Sequence, residues 1–228
     1  MNEVTINKEK LELLHIYSSC DVADALLKLK HPHGGYLPDV IMFSPEQQAG
    51  PTKLVGPVFT VKVVPISDTT SPKPAQHFAD AAPEGSVVFV SAPPNAINAV
   101  WGGLINTRAK ERGVKGVIVD GRVRDLEELR ADGLPVFAKS TSVLSSKAYT
   151  RPSTLNQPVT FNGNYNPPII INPNDVIVAD LDGAVCIPLQ LLDNVLESCK
   201  KHVEMDNNVR EELLKGTTIT EAFALHRR

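Results

Sequence analysis

Gly116-Val117-Ile118-Val119-Asp120-Gly121-Arg122-Val123-Arg124-Asp125 is the stretch on which the reading of the fold turns. Its first half is a β-branched run bounded by glycine, the pattern of a buried core strand. Its second half carries four charges, Asp120, Arg122, Arg124 and Asp125, so that strand runs straight into a charged turn. Open α/β folds gather ligands at the C-terminal ends of their strands, where such turns lie. The reading predicts a strand at residues 116–120 and a helix from about 125 to 131.

Immediately upstream, residues 99–112 read as a helix opened by Trp101-Gly102-Gly103-Leu104-Ile105-Asn106, with Gly113 as its C′ residue. A helix start without side chains exposes N–H groups that can hold an anion. Paired glycines equally permit a turn or close helix–strand packing. Strands are predicted at 86–91 and 135–138. The order strand–helix–strand–helix–strand then argues for parallel pairing through right-handed crossovers.

Further out the signals are local. Residues 8–30 read as two helical pieces, the second capped by Ser19, Cys20 or Asp21 and ended by His31-Pro32-His33-Gly34-Gly35. Residues 38–51 read as loop, 54–64 as a strand interrupted at Gly56-Pro57, 69–74 as a polar connector and 76–82 as a short helix. Residues 139–174 are rich in Ser, Thr, Asn and Pro, with β-prone pieces at 159–161 and 169–171. Residues 175–179 and 184–187 flank Asp180-Leu181-Asp182-Gly183, a hairpin signal with Asp-Gly at the turn. After Pro188 the chain reads as helical, with Leu191, Leu192, Val195 and Leu196 on one face. Without a repeat or low-complexity linker, one layered α/β domain is expected over residues 1–228. Its C-terminal helices, from about 189 to 228, are placed to pack on a neighbouring subunit.

Composition narrows the function classes. The 228 residues are 42% hydrophobic, enough for a sizeable core, and a net charge of −3 excludes a basic nucleic-acid footprint. No apolar run approaches the roughly 18–20 residues that span a membrane. Met1-Asn2-Glu3-Val4-Thr5 lacks the basic and apolar regions of a secretory leader. Cys20, Cys186 and Cys199 lie far apart, which suits a reducing compartment, the cytoplasm, and leaves no zinc or redox motif.

Arg124 and Asp125 are the leading candidates for chemistry. A carboxylate suits Mg²⁺ or Mn²⁺, which keep several waters and use one or two protein ligands. An Arg fork matches a substrate carboxylate or keto oxygen. The same residues admit a plainer reading. Asp125 and Glu128 have the spacing of a helix cap, and Arg124 can pair with Glu127 or Glu128. Asp180 and Asp182 read as turn-forming through Asx hydrogen bonds. His15, His31, His33 and His77 show no metal-ligand spacing on a helix, and no Gly-x-Ser-x-Gly elbow or Walker-type loop is present. Lys115 and Lys139 are weighed as Schiff-base lysines, but neither stands in a clearly apolar run.

Taken together, three blocks resemble a known family. They are Trp101-Gly102-Gly103-Leu104 with Arg108-Ala109-Lys110, Gly113 and the stretch from Gly116 to Asp125; Ser19-Cys20-Asp21-Val22-Ala23-Asp24-Ala25-Leu26; and Asn174-Asp175-Val176-Ile177-Val178-Ala179-Asp180 with Asp182, Gly183, Val185, Ile187 and Pro188. They look like the 4-hydroxy-4-methyl-2-oxoglutarate aldolases, which belong with the regulator-of-ribonuclease-activity-A-like (RraA-like) proteins. The resemblance covers about residues 11–225. It implies an α/β sandwich of swivelling β/β/α type, built into trimers or pairs of trimers. It also implies a class II, divalent-metal-dependent pyruvate aldolase that decarboxylates oxaloacetate, both reactions sharing a metal-stabilised pyruvate enolate.

In that picture Asp125 binds the metal largely through waters and Arg124 contacts the pyruvyl group. Backbone N–H groups of Gly102, Gly103, Leu104 and Ile105 hold the carboxylate. Outside that picture, Arg122 is an extra charge near the same turn, placed for the distal carboxylate of a diacid. An acidic residue of a neighbouring subunit, Glu204 or else Glu211 or Glu212, approaches the metal waters. One position departs from the pattern: the bacterial aldolases carry an Asp where this chain has Gly103, which lowers aldolase activity or leaves proton transfer to a metal-bound water. Some relatives instead inhibit an RNA-processing enzyme, so a non-catalytic protein-binding regulator is the alternative.

Overall fold

A computed structural model describes residues 6–226. The leader reading at residues 1–5 and the last two residues of the C-terminal helical span lie outside the described residues. The chain opens with α1 (Lys8–Leu14) and α2 (Ser19–Lys28), then β1 (Ile41–Ser44), β2 (Leu54–Pro65), α3 (Phe78–Ala81), β3 (Val87–Ser91) and β4 (Ala99–Trp101). The central block follows as α4 (Gly103–Glu111), β5 (Gly116–Val123), α5 (Leu126–Asp132) and β6 (Val136–Thr141). Then come β7 (Thr150–Leu155), β8 (Val159–Thr160), β9 (Ile170–Ile171), β10 (Val176–Asp180), β11 (Gly183–Ile187), α6 (Leu192–Leu214) and α7 (Ile219–His226).

The main sheet runs β1-β6-β5-β3-β2-β10-β11, with β4 added to the end of β5 and β7 to β2. As the crossover order requires, β2, β3, β5 and β6 are parallel. β10, β11 and β1 join antiparallel to their neighbours. The sheet curls until its two edges meet, where Leu37 N, just ahead of β1, donates to Ala184 O of β11 at 2.9 Å. It is thus a nearly closed barrel.

Strand alternation sorts the side chains into three apolar layers. Ile118, Phe89, Phe137, Met42 and Ile177 fill the barrel. Val117, Val119, Val88 and Val136 face outward under α3, α4 and α5. Val176, Val178, Val185 and Ile187 face outward under α1, α2 and α6. Among the described residues no helix is long and apolar enough to cross a membrane.

Several local expectations are corrected. The cap of α2 is Ser18, one residue before the expected three: its Oγ accepts from Asp21 N at 3.1 Å while Asp21 Oδ2 accepts from Ser18 N at 2.8 Å. Ser18 and Asp21 together close a reciprocal capping box, which makes Asp21 the acid of the box rather than the cap. The expected loop at 38–51 contains β1, a four-residue edge strand hidden between prolines. β2 runs unbroken through Gly56-Pro57, because pairing with β3 begins only at Val58 and the missing proline N–H interrupts no bond on that side. Residues 99–101 are a strand rather than helix: Gly102 is extended, at φ −162°, so the helix starts at Gly103. β7 was not expected at all.

Candidate active site

The chain leaves β5 through Arg124, whose N–H donates to Trp101 O at 3.1 Å and fastens the end of β5 to the end of β4. Asp125 then adopts φ 62°, ψ 45°, a left-handed conformation that Asp tolerates better than most residues. It stands at the N-cap of α5 without making a side-chain cap bond there. The capping reading of Asp125 is therefore not the one found. Its Oδ2 instead reaches across to accept from Gly103 N at 3.0 Å, at the first turn of α4. The positive end of a helix dipole favours that carboxylate. Arg124 Nε lies 3.4 Å from the same oxygen, so Arg124 pairs with Asp125 rather than with Glu127 or Glu128. Both side chains are about one-third exposed, and a pair so hydrated organises the turn more than it stabilises the fold.

The two glycines have a steric reason. A Cβ on Gly102 would stand 2.7 Å from Asp125 Oδ2 and 3.1 Å from Arg124 Cγ. A Cβ on Gly103 would overlap Glu128 Oε2. Each glycine thus carries a carboxylate oxygen against its Cα. Gly103 N is already engaged, whereas Leu104 and Ile105, next in the first turn of α4, have N–H groups with no intrahelical acceptor. Behind the turn, Trp101 Nε1 donates to Asn106 Oδ1 at 3.1 Å, and Asn106 Nδ2 donates to Asp132 Oδ2 at 3.0 Å. Thr107 Oγ1 reaches the same Asp132 oxygen at 2.9 Å, so α4 and α5 are held as one piece. The Leu104 side chain beside the site is 86% exposed.

The structure brings Gly102, Gly103, Leu104, Ile105, Arg124 and Asp125 together and does not bring Arg122 to them. Arg122 follows Ile118 and Asp120 into the barrel, where its Nη1 donates to Ser140 Oγ and Thr141 O, each at 3.0 Å. Glu204 is exposed on α6, in the helical layer with α1 and α2. Glu212 is occupied with Lys215 at 2.8 Å. Asp180 makes the expected turn bond from Asp182 N at 3.2 Å, and also accepts from Ser19 N and Oγ at 2.8 and 2.6 Å. His77 Nδ1 accepts from Ala79 N at the start of α3, and burial lowers its pKa.

Two groups escaped the sequence reading. Glu128, read as a cap partner, is instead the carboxylate seated over Gly103. Lys139, set aside for want of apolar neighbours, has its Nζ 2.6 Å from the buried Asp120 and 3.9 Å from the Phe161 ring centroid. The alternation Phe137-Ala138-Lys139 carries the signal for its inward position, but Phe161 is too distant in sequence to be foreseen.

No cluster of three His, Cys, Asp or Glu side chains is present among the described residues. The donors at Asp125 are nevertheless hard oxygens with room left by two glycines, and they fit a cation that keeps most of its waters.

Comparison with known proteins bears on the family and the fold. Residues 19–186 match the family model described as RraA-like: Aldolase/RraA. A provisionally named 4-hydroxy-4-methyl-2-oxoglutarate aldolase of Halalkalibacterium halodurans is 32% identical over 167 residues, 73% of this chain and 74% of that protein. The uncharacterized protein MJ0644 of Methanocaldococcus jannaschii is 36% identical over 127 residues, 56% of this chain; the match spans 58% of its length. A crystal structure of an uncharacterized protein from Pseudomonas syringae pv. tomato superposes with a TM-score of 0.80 at 26% identity, covering 96% of this chain and 98% of that one.

Proposed function

Because the chain belongs to the RraA-like, Aldolase/RraA family, we propose that it is a divalent-metal-dependent lyase of pyruvate-derived 2-oxo acids. In this reading it cleaves 4-hydroxy-4-methyl-2-oxoglutarate to pyruvate, decarboxylates oxaloacetate, or does both. The observation that carries the reading is a single turn that gathers the Asp125 carboxylate, the Arg124 guanidinium and the free N–H groups at the start of α4.

Asp125 would hold the cation, Mg²⁺ or Mn²⁺, with Glu128 near it, and Glu204 of a neighbouring subunit would approach it in a trimer or pair of trimers. The chemistry such a cation would supply is Lewis-acid polarisation of the substrate's 2-oxo group. The N–H groups of Leu104 and Ile105 bind the adjacent carboxylate, fixing the plane of the 2-oxo acid. When the bond to C3 breaks, its electron pair moves toward the 2-oxo oxygen, and Arg124 meets the growing negative charge with a fixed positive one. Carbon dioxide leaves in the decarboxylation; in the retro-aldol cleavage the 4-hydroxyl gives its proton to water as it becomes the carbonyl of the departing fragment. A proton then returns to C3.

The test is pyruvate release from each substrate with Mg²⁺, with EDTA and with Asp125→Asn, against a protein-free control that measures spontaneous decarboxylation. Metal-dependent turnover that falls at least a hundredfold in Asp125→Asn is expected, as for loss of an electrostatic group acting in the transition state. Turnover no faster than the control on both substrates sinks the lyase reading and shifts weight to a protein-binding regulator.

A further inference from the structure

We propose that the mouth of the barrel is a second binding site, anchored by the Arg122 guanidinium and shaped for a hydroxylated organic monocarboxylate. It stands apart from the Arg124–Asp125 turn and does not depend on the lyase reading. Barrel mouths and the C-terminal ends of parallel strands are where α/β proteins commonly take ligands.

The cavity measures about 600 Å³ and lies between the loop at residues 93–96, the ends of β5 and β6, and the segment 160–164. Its floor is electrically closed. Lys139 Nζ sits 2.6 Å from Asp120 Oδ1 and donates to Asn162 O at 2.7 Å, and Asn162 N donates to Asp120 Oδ2 at 2.7 Å. The Asp120 side chain is fully buried, so its charge is answered by Lys139 and not by solvent.

Arg122 at the wall is different. Its Nη1 is pinned by Ser140 Oγ and Thr141 O, both neutral acceptors. No carboxylate pairs with it among the described residues. Its Nε and Nη2, the side-on edge of the guanidinium, make no hydrogen bond to the described residues. A fork held in place with that edge free is the arrangement that takes a carboxylate through two parallel hydrogen bonds.

The rest of the lining sets the ligand class. Lys139 and Asp120 answer each other, which leaves Arg122 as the uncompensated charge of the lining, so one negative charge is matched rather than two. The amides of Asn95 and Asn164 and the hydroxyl of Thr160 present hydrogen-bonding groups for a hydroxylated body. A volume of about 600 Å³ exceeds what a bare two- or three-carbon acid would fill.

D-gluconate is the probe, titrated calorimetrically into EDTA-treated protein, with D-glucose and inorganic phosphate as comparison ligands. Gluconate is expected to bind wild type and Arg124→Gln alike, to bind Arg122→Gln and Arg122→Lys at least tenfold more weakly, and to outcompete glucose and phosphate. The lysine variant keeps the charge and loses the fork, so it decides the matter if Arg122→Gln does not fold. Failure of wild type to bind gluconate overturns the proposal. So does equal affinity in the Arg122 variants, tighter phosphate binding, or a loss confined to Arg124→Gln, which would move the carboxylate to the α4 turn. None of these outcomes depends on pyruvate release, so this proposal and the lyase reading fail separately.

Discussion

Neighbouring glycines at 102 and 103 do different jobs, and alanine separates them. At Gly102 an added Cβ presses on Asp125 Oδ2 and Arg124 Cγ, while the extended backbone there suits any residue. Gly102→Ala should therefore leave the fold intact and cut turnover about a hundredfold, the usual cost of displacing reacting groups by roughly 1 Å. At Gly103 the methyl meets the Glu128 carboxylate, which can swing into solvent, and Glu128 Cβ at 3.0 Å, which asks α5 to give by a few tenths of an ångström. Gly103→Ala should keep the melting temperature within a few degrees and weaken Mn²⁺ binding, read by electron paramagnetic resonance, only if Glu128 faces the cation. Equal turnover in wild type and Gly102→Ala would remove Asp125 from the chemistry. This turn was largely legible in the sequence, because its residues lie within 25 positions of one another and a strand–turn–helix pattern flags them. What could not be read was direction. Asp125 turns toward α4 and not into its own helix, and Arg122 turns inward, because the turn geometry and the side of the sheet decide those outcomes.

Secondary-structure elements show the same division between local and distant causes. β3, α4, β5, α5 and β6 were readable as existing elements, since each carries its own apolar period and its own breakers. β1, β4 and β7 were not, being three to six residues long and, for β7, carrying Pro152 at a sheet edge where a strand tolerates it. Their strand character comes from partners elsewhere in the chain. The hairpin β10–β11 was read correctly from its Asp-Gly turn, yet its turn also does tertiary work. Asp180 takes two hydrogen bonds from Ser19 and locks the start of α2 onto the hairpin. Asp180→Ala should lower unfolding free energy by about 1.5–3 kcal/mol, the usual worth of hydrogen bonds to a charged group. Urea unfolding measures it, and a change below about 0.5 kcal/mol would mean that α2 is held by its apolar face alone.

Across the whole molecule, the cysteines report on two different layers. Cys186 faces the barrel interior, and Cys199, on the buried face of α6, packs against α2. Burial raises both thiols, Cys199 to about 12 and Cys186 well above its ordinary value, so neither offers a thiolate near neutral pH. A chromogenic disulfide reagent should modify one thiol per native chain, the exposed Cys20, and all three after denaturation. Rapid modification of Cys199 in native protein would mean that the α6 layer opens independently of the barrel. The parallel centre of the fold was predictable because its crossovers are short. Closure of the barrel was not, because it depends on β2 meeting β10, and β2 ends at Pro65 while β10 starts only at Val176. That interval of about 110 residues has a consequence in time. On a ribosome adding roughly 5–20 residues per second, one edge of β2 waits on the order of ten seconds for its partner. The apolar side of α2, with Val22, Ala25 and Leu26, waits longer still for β11 and α6. The nascent chain therefore carries α2 uncovered through most of its own synthesis, and the pace of translation sets how long that apolar face waits.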